Sequence, residues 1–285
     1  MSIGRKIKGI YQLFRVELPF AAGICVIAGE LLGIGGHISF YQILLGFLSG
    51  FFISSSALIF NDYFDIESDK INAPTRPLPS GEVKPSEVIL LTIITTAIGL
   101  VAALLISLIA FGVGIVFWMI GFLYNWKLKE TGLFGNIMVS FSVAITFIFG
   151  GIAVGQPWNK IVWFFSFIVF LIDLGEEIGS GAMDEKGDRK RSSKSIAITK
   201  GKDYALRISS GLFAIVILIS FIPFVIQWLG VTYLIMIAIM DTIIFLATIK
   251  LLQSKTSKEG RLYLRFIYLG ATVSLLAFIV GQLVA

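Results

Sequence analysis

The chain has 285 residues, 56% of them hydrophobic and 14% charged, and its mean hydropathy is +0.91. That composition excludes an ordinary soluble domain and reads as an integral membrane protein. The net charge of +5 and pI near 9.2 do not signal nucleic-acid binding, because the basic residues follow membrane topology instead of gathering in a patch.

Apolar stretches long enough to cross a bilayer recur at 17–36, 40–61, 86–108, 109–125, 132–154, 159–180, 205–226, 229–249 and 262–284. The fold expected is therefore all-α and polytopic, one intramembrane domain over 1–285 with nine spans. The basic run before the first span resembles a signal peptide, but the apolar stretch is too long and lacks an A-x-A-like cleavage site. It is read as a retained helix. With a cytoplasmic N-terminus, Arg5, Lys6, Lys8, Arg15, Lys70, Arg76, Lys84, Lys127 and Lys129 fall inside, as do the segments Lys186 to Lys202 and Lys250 to Arg261. Lys160 alone lies outside, as the positive-inside rule requires. Cys25, within an apolar helix, and His37, in an outside loop, are each the sole residue of their type. Disulfides, thiolate metal sites and His-based acid/base chemistry are set aside.

The second span closes on Asn61-Asp62-Tyr63-Phe64-Asp65-Ile66-Glu67-Ser68-Asp69. Asn61, Asp65 and Asp69 recur at i, i+4 and i+8, with Asp62 near the same arc, so a continuing helix projects them together. Carboxylates beside hydrocarbon are costly unless they pair or hold metal. The loop that follows carries Pro74, Pro77, Pro79 and Pro85, four of the seven prolines. Their fixed φ and missing N–H predict a shaped cap instead of a long helix. Tyr124 ends the fourth span, and Lys127 and Lys129 follow it.

The sixth span carries Asp173 and Glu177 in line with Asp184 and Asp188, an acidic stripe that begins inside the membrane and must face a polar cavity. Gly175, Gly179 and Gly181 on the same helix permit close approach of neighbours. The second box, Asp184-Glu185-Lys186-Gly187-Asp188, opens a basic loop with Arg189, Lys190, Arg191 and Lys194. Boxes after the second and sixth spans suggest two four-helix pseudo-repeats plus one helix.

Oxygen-only ligands favour Mg²⁺ held by carboxylates together with substrate phosphate oxygens, and two clusters could hold two ions. Arg76, Lys127 and Lys129 would add charge-assisted hydrogen bonds to a diphosphate. Such a site at a bilayer surface, under walls rich in Phe, suits a prenyl diphosphate. Aromatic faces, with Tyr63, Phe64 and Tyr124 nearest the motifs, could stabilise an allylic carbocation.

Asn61-Asp62-x-x-Asp65-x-x-x-Asp69, Thr75-Arg76-Pro77-Leu78-Pro79-x-Gly81, Tyr124-x-x-x-x-Lys129 and Asp184-x-x-x-Asp188 resemble, in this order, the motifs of the UbiA superfamily of intramembrane prenyltransferases. The resemblance spans nearly the whole chain and implies nine helices around a central cavity. It implies metal or diphosphate binding by Asn61, Asp62, Asp65, Asp69, Asp184 and Asp188, diphosphate contact by Arg76 and Lys129, and supporting places for Lys127 and Tyr124. Asp65, Asp184 and Lys129 are the residues expected to carry the catalysis. Arg15 resembles a position near the acceptor pocket, but a juxtamembrane anchor is the reading preferred for it. Where many quinone-pathway members have Arg-Glu, this chain has Glu176-Glu177, which is similar to the archaeal ether-lipid branch.

The implied reaction is Mg²⁺-dependent transfer of a geranylgeranyl group from its diphosphate to the sn-2 hydroxyl of geranylgeranylglyceryl phosphate, a lipid-phosphate acceptor. The alternative is an aromatic acceptor of quinone biosynthesis. A cation-coupled transporter, using Glu30, Asp173, Glu177 and Asp241 as an ion path, is the reading from another class. It leaves the cation-flanked boxes on one face without a purpose.

Overall fold

The computed structural model describes residues 3–34, 38–184 and 194–284. His37, Asp188 and the basic residues Arg189, Lys190 and Arg191 lie outside the described residues. In chain order the helices are α1 (Ile3–Phe14), α2 (Glu17–Ile34), α3 (Phe40–Phe64), α4 (Ile66–Asn72), α5 (Pro85–Ile106), α6 (Leu108–Trp126), α7 (Leu133–Ala153) and α8 (Lys160–Met183). Then come α9 (Ile196–Lys200), α10 (Lys202–Ser220), α11 (Ile222–Val225), α12 (Val231–Leu252) and α13 (Ser257–Val284), with one 3-10 turn, Leu128–Glu130, after α6.

Nine helices among the described residues reach 18 residues or more, one for each expected span. Seven are long and apolar enough to cross a membrane, the fifth of them α7. The protein is an integral, multi-pass membrane protein. α8, with Asp173, Glu176 and Glu177 in its second half, is not among the seven. Apolar side chains such as Ile93, Leu108, Leu218 and Phe245 stand exposed on the helices, as they do where the solvent is lipid and not water.

Helix starts follow local sequence. Ser39 caps α3, its Oγ accepting from the Gln42 N–H at 3.2 Å. Pro85 opens α5 where its missing N–H costs nothing. Asn159 Oδ1 accepts from the N–H groups of Ile161 and Val162 at the start of α8.

The chain forms two compact units, residues 1–126 with 146–157, and 127–145 with 158–285. The first contains α2, α3, α5 and α6, the second α8, α10, α12 and α13. α7 contributes residues to both.

In the first unit α2 and α7 cross at backbone contact. A Cβ built on Gly29 would stand 2.1 Å from the Phe147 carbonyl oxygen, and one on Gly150 2.2 Å from that of Val26. Small residues at a crossing let dispersion and Cα–H contacts replace a hydrophobic driving force that lipid cannot supply. Glu30 of α2 is fully buried and seated against Gly46 of α3, where a Cβ would fall 2.0 Å from its Oε1.

The second unit packs α8 against α10 and α13 around Leu171, Ile178, Phe213, Ile244 and Leu264. Phe213 lies on Gly175, and Ser209 Oγ donates to the Gly175 carbonyl at 2.6 Å. Ser220 Oγ donates to Asp241 Oδ2 at 2.7 Å, and Tyr233 donates to the Ser220 carbonyl at 2.6 Å. Ser220 thus holds one oxygen of Asp241 at the join of α10 and α12.

Candidate functional site

The first box is built by an interrupted helix. α3 ends at Phe64, Asp65 leaves helical geometry at φ −89°, ψ 0°, and α4 resumes at Ile66. The backbone ladder nevertheless continues through the break, Asp65 N to Asn61 O at 3.0 Å and Asp69 N to Asp65 O at 2.7 Å. The i, i+4, i+8 order therefore survives. Asn61 Nδ2 donates to Asp65 Oδ2 at 3.0 Å.

The proline loop is the shaped cap its sequence predicts. Leu78 and Val83 are buried with Leu13 of α1, Ile59 of α3 and Val88 of α5. Turn bonds from Arg76 N to Ala73 O and from Val83 N to Pro77 O fix the path between them. This anchoring aims Arg76 at the box: Nη1 lies 2.7 Å from Asp69 Oδ2 and 3.9 Å from Asp62 Oδ1.

Arg15 reaches the same carboxylate from another direction. It sits between α1 and α2 with φ +43°, a left-handed conformation that costs a non-glycine residue ~1–2 kcal/mol. Its Nη2 pairs with Asp62 Oδ1. Asp62 and Asp69 are each only 3% exposed, so leaving either without a counter-charge would be expensive. Arg15, Asp62, Arg76 and Asp69 are thus brought into one ion-pair network. α1, which the hydropathy pattern does not mark, holds Arg15 there through Leu13.

In the second unit Asp184 caps the C-terminus of α8, its N–H bonded to the Ser180 carbonyl at 3.0 Å. Glu176 accepts from Ser180 Oγ at 2.8 Å. Asp173 is buried facing Ser140 of α7, and its Oδ2 has no hydrogen-bond partner among the described residues. Lys129 lies in the 3-10 turn after α6, half-buried, and Lys127 just before it is exposed. Lys194, after the second box, donates its backbone N–H to the Glu130 carbonyl at 3.1 Å. Gly132, at φ +71°, permits the approach: a Cβ there would meet the Lys194 carbonyl at 2.0 Å. Tyr124, half-buried, ends the fourth long helix beside Asn125, whose Nδ2 donates to the Ala57 carbonyl of α3 at 2.8 Å.

Arg261 is the residue that sequence reasoning passed over. It counts as one of several basic residues in the cytoplasmic tail, yet its Nη2 pairs with Asp184 Oδ1. Nothing in the local pattern marks a partner 77 positions away. Tyr63 and Phe64 belong to an aromatic cluster, Phe64 lying edge-on to Phe60 at 4.8 Å and to Phe122 of α6 at 5.9 Å.

Among the described residues no three acidic side chains converge as a ready metal cage. What the chain offers is oxygen donors only, with buried carboxylates held by guanidinium groups. That donor set fits a hard divalent cation such as Mg²⁺, which takes one or two carboxylates and completes its shell with water and phosphate.

Residues 22–270 match the UbiA prenyltransferase family. The chain belongs to that family. It is 32% identical over 282 residues to the digeranylgeranylglyceryl phosphate synthase of Methanocaldococcus jannaschii, covering 98% of this chain and 97% of that protein. A solved structure concerned with digeranylgeranylglyceryl phosphate synthase in membranes matches with TM-score 0.80 at 31% identity, over 98% of this chain and 99% of the other. A UbiA homolog from Archaeoglobus fulgidus bound to DMAPP and Mg²⁺ shares the fold with TM-score 0.73 at 20% identity, over 92% and 98% of the two chains. The transporter reading is thereby set aside, and the chain is a prenyltransferase.

Proposed function

We propose that this protein transfers a geranylgeranyl group from geranylgeranyl diphosphate to the sn-2 hydroxyl of geranylgeranylglyceryl phosphate, forming an ether lipid. The observation that carries this is the end-to-end likeness to the Methanocaldococcus jannaschii synthase. Glu176-Glu177 in place of Arg-Glu favours the same branch.

In the reaction, the allylic C1–O bond breaks with its electron pair leaving on diphosphate. The sn-2 oxygen forms the new bond to C1, and its proton passes to diphosphate or a nearby carboxylate. Mg²⁺, when bound, neutralises charge on the leaving diphosphate. The first box offers Asn61, Asp62, Asp65 and Asp69 as proposed oxygen ligands for a divalent cation, and the second offers Asp184 and Asp188. Arg76 is set by the anchored loop to offer a phosphate the guanidinium that now pairs with Asp69 through Nη1. Arg15 balances Asp62 in the same network, and Tyr124 in the last turn of α6 with Lys127 and Lys129 after it adds charge-assisted contacts. The distribution of Lys and Arg along the sequence supports a cytoplasmic face for both boxes.

Purified protein with Mg²⁺ and geranylgeranyl diphosphate is expected to prenylate geranylgeranylglyceryl phosphate, to react poorly with 4-hydroxybenzoate or a dihydroxynaphthoate, and to stop on addition of EDTA. Efficient transfer to the aromatic acids with none to the glycerol ether would replace the acceptor and leave the prenyltransferase chemistry standing.

A further inference from the structure

The C-terminal end of α8, which runs into Asp184, is aligned with α13 by two glycine contacts. Gly179 of α8 receives Leu264, whose Cδ2 would lie 2.8 Å from a Cβ, and Gly260 of α13 receives Met183, whose Sδ would lie 2.1 Å from one. Met183 and Leu264 are both buried. The residues next in sequence, Asp184 after Met183 and Arg261 after Gly260, consequently meet at the end of α8 as an ion pair.

Stability does not account for that pair. Both side chains are about half exposed, Arg261 at 59% and Asp184 at 49%, and ion pairs in that setting contribute little. A guanidinium resting on the second-box carboxylate repeats what Arg76 and Arg15 do at the first box, where Asp69 and Asp62 are covered. A divalent cation and a guanidinium cannot share one carboxylate oxygen at close range without repulsion. A cation taking Asp184 Oδ1 would push the Arg261 guanidinium off that oxygen, and its side chain is open enough to reach another anion.

We infer that Arg261 is an anion-binding residue of the second box: the counter-ion of Asp184 in the unliganded protein and a ligand of a substrate phosphate oxygen once that carboxylate binds a divalent cation. This rests on the diphosphate chemistry proposed above and adds a residue from the last helix to it.

The test compares Arg261→Gln with the wild-type protein in two binding measurements that need no turnover. Mn²⁺ binding followed by electron paramagnetic resonance is expected to be equal or tighter in the variant, because a competing positive charge is gone. Binding of inorganic pyrophosphate at saturating Mg²⁺ is expected to weaken about tenfold, with Arg261→Lys intermediate. Opposite signs identify an anion ligand. Equal weakening of both would make Arg261 a packing residue, and no change in either would place it outside the site; each result overturns the inference. Wild-type prenyl transfer, assayed in parallel, separates the two readings, since an active wild-type protein with an indifferent Arg261→Gln variant sinks only the role of Arg261.

Discussion

Gly29→Ala tests the tightest crossing in the first unit. The added Cβ would lie 2.1 Å from the Phe147 carbonyl oxygen and 2.9 Å from both its carbonyl carbon and Cα. Comfortable contact needs about 3.5 Å, so the nearest approach is short by about 1.4 Å. The obstacle is backbone, which has no rotamer to change. α2 and α7 must therefore separate, and the reciprocal contact of Gly150 with Val26 and Glu30 is lost with them. Overpacking of this kind costs on the order of 3 kcal/mol. For a chain of this size that corresponds to a fall of roughly 6 °C in the unfolding midpoint. Gly112→Ala is the control, a glycine within α6 with nothing inside 4 Å of the place its new methyl would take; it should be neutral or raise the midpoint slightly through reduced backbone entropy. Thermal unfolding of the detergent-purified protein, followed by monodisperse recovery on size exclusion, reads both. If Gly29→Ala melts within about 1 °C of Gly112→Ala, the helices do not touch as described.

Three further outcomes are expected. Asp65→Ala and Asp184→Ala should each lower prenyl transfer by about 100-fold or more while eluting as folded protein, since each removes a proposed oxygen ligand and not a packing group; a few-fold loss would count against ligand roles. Asp241→Asn should keep the acceptor used by Ser220 and change stability by less than about 1 kcal/mol, with activity near the wild-type level; a large loss of transfer would assign Asp241 a part in the chemistry. Cysteines introduced at Lys70 and Lys194, in a background lacking Cys25, should react with an impermeant thiol reagent only from the cytoplasmic side, and one at Asn159 only from outside. Labelling of the first two from different sides would break the topology.

Hydropathy and charge in the sequence determine the number of long helices, because a helix that crosses hydrocarbon must be apolar along its length and leave its basic ends in water. The same local logic makes the first box legible. Asn61, Asp65 and Asp69 share a helical face by periodicity alone, and the prolines from Pro74 to Pro85 announce a fixed loop. The order of motifs is likewise written in the chain and carries the family.

Pairing across distance is decided only by the fold. Arg15 and Arg76 meet at Asp62 because α1 and the proline cap share a small core at Leu13, Leu78 and Val83. Arg261 reaches Asp184 because Gly179 and Gly260 set the register of α8 against α13. The assignment of α7 to both compact units likewise cannot be read from its composition. Periodicity reports which residues share a face of their own helix, whereas the partner of that face depends on backbone approach, which glycine permits and sequence pattern does not specify.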